Sequence, residues 1–202
     1  YRRADDMEFS AKLGSAFVTG KVANSRVVLR RAIRDHGKKI DTEAVEAAVK
    51  RLTTSLKRLG TAATLDLDAV RGVEGDAAHI YFSAFDHLIV RSKKAFNFSG
   101  RSRRPPLDRI NCLLSFLYTL ILHDVRSALE CVGLDTAVGF LHRDRPGRPG
   151  LALDLMEEFR PLADRLALSL INLGQLQKND FVISEAGSVR MKDDARKTLR
   201  VS

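Results

Sequence analysis

Apolar side chains recur at three- and four-residue spacing in one stretch after another, and glycine, proline or aspartate closes each stretch. A chain patterned this way buries its apolar residues by packing helix on helix. Met7 to His36 carries Phe9, Leu13, Phe17, Val18 and Val22 at helical spacing and stops at Gly37. Asp41 fits as the cap of a second helix reaching Leu59, closed by Gly60. A third runs from about Asp66 to Val90, and a basic linker follows from Arg91 to Arg104. Pro105 and Pro106 open a central apolar helix that continues to Val132. A long helix from Leu151 to Leu173 shows Leu151, Leu155, Phe159, Leu162, Leu166 and Leu170 as a continuous apolar stripe, with Pro161 bending it or freeing a carbonyl. Asp180 to Met191 reads as a hairpin, pairing Phe181, Val182 and Ile183 with Val189 and Met191, and Asp193 caps a last helix. The expected fold is mostly α: a single helical domain of about six to eight helices with one small β-hairpin.

With 202 residues and 45% apolar content, the chain suits one domain with a sizeable core. A net charge of +9 favours an acidic partner, most simply nucleic-acid phosphates. The near-apolar run from Ile110 to Leu122 is too short to span a bilayer, so it is expected to be a core helix and no membrane partner is expected. Cys112 and Cys131 fall on one predicted helix, roughly 28 Å apart at about 1.5 Å rise per residue, and cannot bond to each other there. That usage points to a reducing cytoplasm. The chain opens at Tyr1 and ends within a helical pattern at Ser202, which reads as part of a longer protein. It holds no P-loop, GxSxG elbow or CxxC pair.

The densest chemistry lies in GFLHRDRPGRPGLALDLMEEFRP, from Gly139 to Pro161. Asp154, Glu157 and Glu158 stand at i, i+3 and i+4 and so share one side of a helix, where they repel unless a positive charge sits among them. His142 beside that acidic face suggests a metal ion, and Arg143, Arg145 and Arg148 suggest a polyanion held next to it. A helix N-terminus also favours carboxylates, and loop arginines can simply be solvated. Glu74 lies on the stripe of Val70, Ala77, Ala78, Tyr81 and Phe85, with Gly72 and Gly75 thinning the surface around it. A carboxylate placed there needs a proton or a cation, and either an arginine or a metal would serve. Arg101, Arg103 and Arg104 make the linker basic, while Asn111 and Ser115 on the apolar helix either bond within the core or orient a ligand. His123-Asp124 matches the dyad of HD phosphohydrolases, a pairing that arises easily by chance.

Several of these stretches together resemble one family. RGVEGDAAHIYFSAF around Glu74, FNFSGRSRRPPLDRINCLLSFLYTLI from Phe96 to Ile121, the Gly139 to Pro161 stretch, and DFVISEAGSVRMKDDARKTL from Asp180 to Leu199 are similar to the CRISPR-associated adaptation endonuclease/integrase, the first Cas protein. YRRADD and VANSRVVL, from Val22 to Leu29, resemble the variant of type I-C systems. The resemblance implies a helical catalytic domain binding one divalent metal through a Glu, a His and a further carboxylate, which fall on Glu74, His142 and Glu157. Asp154 matches a second acidic position near the metal. It also implies a metal-dependent DNase and integrase that works with the second Cas adaptation protein to insert captured DNA into the CRISPR array. In the full-length protein it would be a homodimer. The family's N-terminal β-rich domain and C-terminal tail are expected to lie outside these 202 residues.

Two hard carboxylate oxygens and one imidazole suit Mg2+ or Mn2+. Such an ion polarises a scissile phosphate and lowers the pKa of the attacking oxygen, from water in hydrolysis or a DNA 3′-hydroxyl in strand transfer. Arg143, Arg145, Arg148, Arg101, Arg103 and Arg104 would grip backbone phosphates without reading sequence. Two rivals differ in kind: a metal-free helical DNA-binding module with Glu74 ion-paired, and an HD-type phosphohydrolase using His123 and Asp124.

Overall fold

Aspartates start four of the helices. Asp6, Asp41, Asp66 and Asp108 each accept a hydrogen bond from the backbone N–H three residues on, at 2.7–3.0 Å. Each such cap satisfies an orphan donor and is worth about 1 kcal/mol. The computed structural model describes residues 5–60, 66–142 and 147–201. Along them run α1 (Met7–His36), α2 (Thr42–Gly60), α3 (Leu67–Ser83), α4 (Arg109–Cys131), α5 (Gly150–Met156), α6 (Arg160–Asn172), a hairpin of β1 (Phe181–Ile183) and β2 (Val189–Met191), and α7 (Asp193–Val201). The fold is mostly α with one small hairpin, as the periodicity requires.

Helix α1 is the spine and packs against α2, α3 and α6. Its Val18, Val22 and Leu29 meet Leu52 of α2, Val70 of α3 and Ile171 of α6 in one core. Burying side chains of this size contributes roughly 1.5–3 kcal/mol each. Helix α4 is apolar and, by length and composition alone, long enough to cross a bilayer. In the fold its Ile110, Leu113 and Leu114 are sealed inside, and it packs on α5, α6 and β2, so it is a core helix longer than its apolar run. Cys112 and Cys131 lie on it unbonded, one buried and one exposed.

Three sequence expectations change. The third helix stops at Ser83 rather than near Val90, and a 3-10 turn follows over Phe85–Leu88. Asn172 of α6 draws the chain away by accepting from Val90 N and donating to the Leu88 carbonyl. The central helix starts at Arg109, because Asp108 supplies the cap that Pro105 and Pro106 cannot. The long helix is two, since Pro161 has no N–H for the Glu157 carbonyl and the backbone tightens into three-residue turns at Glu157 and Phe159.

That break also rotates the apolar stripe. Ala163, Ala167, Leu168 and Ile171 take the core face of α6, while Phe159, Leu162 and Leu166 are 39–46% exposed. They border a groove of about 790 Å³ against Ile121 and Val125 of α4. The hairpin pairs Phe181 with Met191 and Ile183 with Val189, antiparallel, and Val189 N donates to the Pro106 carbonyl, which ties it to the segment between the basic linker and α4.

Candidate metal centre

Glycines decide where His142 can go. Gly139 and Gly150 press together so closely that a Cβ on either would come within 2.5 Å of the His142 carbonyl oxygen, so the loop folds back onto the start of α5 only without side chains there. Arg71 of α3 holds the same loop by donating twice to the Leu141 carbonyl, at 3.1 and 2.9 Å. Glu74 lies three residues further along that helix, on the same side as Arg71.

Asp154 is fully buried behind the loop. Its carboxylate accepts from the backbone N–H of Phe140, Leu141 and His142 at 2.6, 3.0 and 2.9 Å, and from His142 Nδ1 at 2.8 Å. A carboxylate so occupied does not face the pocket; it backs His142. Because it can only accept, His142 Nδ1 is the donor in this contact, and Nε2 is the ring nitrogen on the Glu157 side. That Nε2 lies 4.0 Å from Glu157 Oε1.

Glu157 sits in the turn between α5 and α6, buried, with Arg160 Nε donating to its Oε1 at 2.8 Å. Its Oε2 is 2.5 Å from Lys21 Nζ yet has no aligned hydrogen bond. Burial alone would raise this carboxyl; the charges of Lys21, then Arg160, outweigh it and hold the pKa at about 2. Lys21 also hydrogen-bonds Glu74 Oε1. Glu74 and Glu157 therefore converge on one cationic position, at which Lys21 sits, with His142 alongside. Glu74 is thus half-exposed and ion-paired, though to a lysine of α1 rather than to an arginine. As placed, the described residues contain no ready cluster of three His, Cys, Asp or Glu ligands. The donor set nevertheless suits a hard divalent ion: two carboxylates drawn to one cation, with an imidazole Nε2 4.0 Å from one of them.

A second cluster forms the pocket floor. Asp164 is buried and accepts from the Tyr118 hydroxyl at 2.6 Å. Burial lifts its pKa to about 6 against the opposing pull of the Tyr118 and Tyr81 hydroxyls and of Arg101 and Arg160. The Arg160 and Arg101 guanidinium groups lie over the Tyr118 ring at 4.7 and 5.3 Å, and Arg101 also lies over Phe82. Asn111 fixes the linker by donating to the Gly100 carbonyl and accepting from Arg101. Of the two roles open to it, it takes the structural one.

Arg101, Arg103 and Arg148 line the same pocket as Glu74, His142 and Glu157, a space of about 150 Å³. It adjoins a cleft of about 740 Å³ bordered by those three with Arg104, Arg160 and Ser115. Arg143 and Arg145 lie outside the described residues. His123 and Asp124 stand exposed on α4, and Asp124 borders the apolar groove instead. Sequence reasoning missed Lys21, Arg160, Tyr118 and Asp164. Arg160 was findable, three residues after Glu157 on the helical face; Lys21 carries no local signal.

Two acids, a histidine and an arginine-lined cleft thus stand together on a helical scaffold, and known proteins share that scaffold. The chain matches the family model described as CRISPR associated protein Cas1 over residues 1–201, and it belongs to that family. It is 58% identical over 200 residues to the CRISPR-associated endonuclease Cas1 1 of Chlorobaculum tepidum, covering 98% of this chain and 58% of that protein. With the CRISPR-associated endonuclease Cas1 of Leptospira interrogans it shares 40% identity over 199 residues, covering 98% and 78%. Among solved structures, a casposase bound to integration product superimposes with a TM-score of 0.83 at 30% identity, covering 99% of this chain and 54% of that one. A partial Cas6-RT-Cas1–Cas2 complex gives 0.83 at 29%, covering 98% and 57%. The chain spans rather more than half the length of the first of these relatives.

Proposed function

We propose that this domain is the catalytic part of a divalent-metal-dependent DNA endonuclease/integrase of CRISPR spacer acquisition, with Glu74, His142 and Glu157 as ligands to Mg2+ or Mn2+. The observation that carries this reading is the meeting of Glu74 of α3 and Glu157 of the α5–α6 turn at one cationic position beside Nε2 of His142. When bound, the ion supplies Lewis-acid activation of a phosphodiester and of its attacking oxygen. Asp154 orients the imidazole, Arg160 lies against Glu157, and Arg148, Arg101, Arg103 and Arg104, with Arg143 and Arg145, hold the DNA backbone.

The names of the relatives, endonucleases, and the integration product bound by the casposase support DNA cutting and joining. The Cas1–Cas2 complex supports the second Cas protein as partner. A homodimer in the full-length protein, a cytoplasmic location and the type I-C variant, resting on YRRADD and VANSRVVL, complete the reading; Tyr1 to Ala4 lie outside the described residues. Branched DNA incubated with the chain should be cleaved in Mn2+ and left intact in chelator. The Lys21 bridge favours a second reading, a metal-free DNA-binding module, which would bind DNA equally in both conditions and cut in neither.

A further inference from the structure

Lys21 is placed with unusual care for a residue outside every motif. Its neighbour on α1 is Gly20, where a Cβ would stand only 3.1 Å from Glu158 Cβ. The missing side chain lets α1 press onto the α5–α6 turn, and Asn24 clamps it there by donating to the Glu158 carbonyl at 2.8 Å. That approach delivers the ammonium between Glu74 of α3 and Glu157, with the lysine side chain only 14% exposed.

A half-buried ammonium needs anions, and two converging carboxylates need a cation. One ion pair network satisfies both. The same carboxylates are the proposed metal ligands, and a divalent ion cannot share their oxygens with an ammonium 2.5 Å away. Exchange would leave the two acids unequally placed, since Glu157 also has Arg160 at 2.8 Å, whereas Glu74 would lose its lysine.

We propose that Lys21 is a positioning residue that serves as the resident counter-ion of the centre, holding Glu74 and Glu157 together and competing with the divalent metal for them. This rests on the metal-centre reading above. A purely structural lysine and a competing one predict opposite outcomes. Loss of a structural lysine loosens the ligands and weakens metal binding; loss of a competitor tightens it.

Calorimetric titration of the full chain with Mn2+ separates them. Lys21→Met, of similar length and uncharged, and Lys21→Gln should each bind Mn2+ roughly 5- to 150-fold more tightly than wild type, the range of typical coupling between two ligands. Lys21→Arg keeps the charge and should stay near wild type. The metal-free melting temperature of Lys21→Met should fall and recover in saturating Mn2+. Equal or weaker Mn2+ binding by both uncharged variants overturns the inference and leaves the metal centre standing. Failure of Mn2+ to restore the melting temperature overturns it as well. If neither wild type nor variants take up Mn2+, the inference and the metal reading fall together.

Discussion

One carboxylate, Asp154, grips His142 at two points, accepting from its backbone N–H at 2.9 Å and from its ring Nδ1 at 2.8 Å. The loop conformation and the imidazole tautomer are thereby set by the same buried acid. Asp154→Asn would place an amide donor against one of those N–H groups and free the ring. Mn2+ affinity measured by calorimetry should fall about 10- to 100-fold. Wild-type affinity in this variant would show that the tautomer is set elsewhere.

Glu74→Ala, His142→Ala and Glu157→Ala should each abolish Mn2+-dependent cleavage of branched DNA. The helical circular dichroism of each should stay largely unchanged, because none of the three is a core apolar residue. Retained cleavage in any one removes that residue from the centre.

The arginines should divide by burial. Arg103 is exposed and Arg148 partly so, both lining the pocket, so Arg103→Ala and Arg148→Ala should weaken DNA binding and flatten its log-log salt slope by about 1 per lost phosphate contact, with little change in melting. Arg101 lies over Phe82 and Tyr118 and bonds Asn111, so Arg101→Ala should lower melting as well. A salt slope identical to wild type in all three would return them to solvated surface.

Stability should depend on pH through Glu157. Its folded pKa of about 2 lies below the ordinary 4.5, so its contribution is complete above pH 4.5 and is lost as pH falls toward 2. The shift corresponds to about 3 kcal/mol. In urea titrations from pH 5 to pH 2, wild type should therefore lose more stability than Glu157→Gln. Parallel pH profiles would mean that the ion pairs of Glu157 contribute nothing to folding.

The rotated stripe on α6 is testable by paired substitutions. Leu166 is 43% exposed and Leu170 is 6% exposed. Leu166→Gln should change stability by less than about 0.5 kcal/mol, whereas Leu170→Gln should cost about 2–5 kcal/mol. Equal costs by denaturant unfolding would place Leu166 in the core after all.

Much of this protein was legible before any coordinates. Aspartate caps and three-to-four spacing encode α1 and α2 and the start of α3, so Met7, His36 and the pairing of Phe181 to Ile183 with Val189 and Met191 follow from local pattern, whereas the end of α3 and the start of α4 do not. Local pattern drew attention to Glu74 on its apolar stripe and to His142 before an acidic turn, but singling out Glu157 from Asp154 and Glu158 came only from the family resemblance.

Contacts across the chain were not. Lys21 is 53 residues from Glu74, and nothing near it distinguishes it from other lysines until Gly20 lets α1 meet the turn after α5. Asp154 and Glu157 looked alike on one helix face, yet the Gly139–Gly150 contact turns one behind His142 and the break before Pro161 turns the other into the pocket. The same break sends Phe159, Leu162 and Leu166 outward. Helical periodicity is a property of neighbouring residues, so sequence alone determined the elements. Which face each element buries depends on what packs against it, and that was decided only when the helices met.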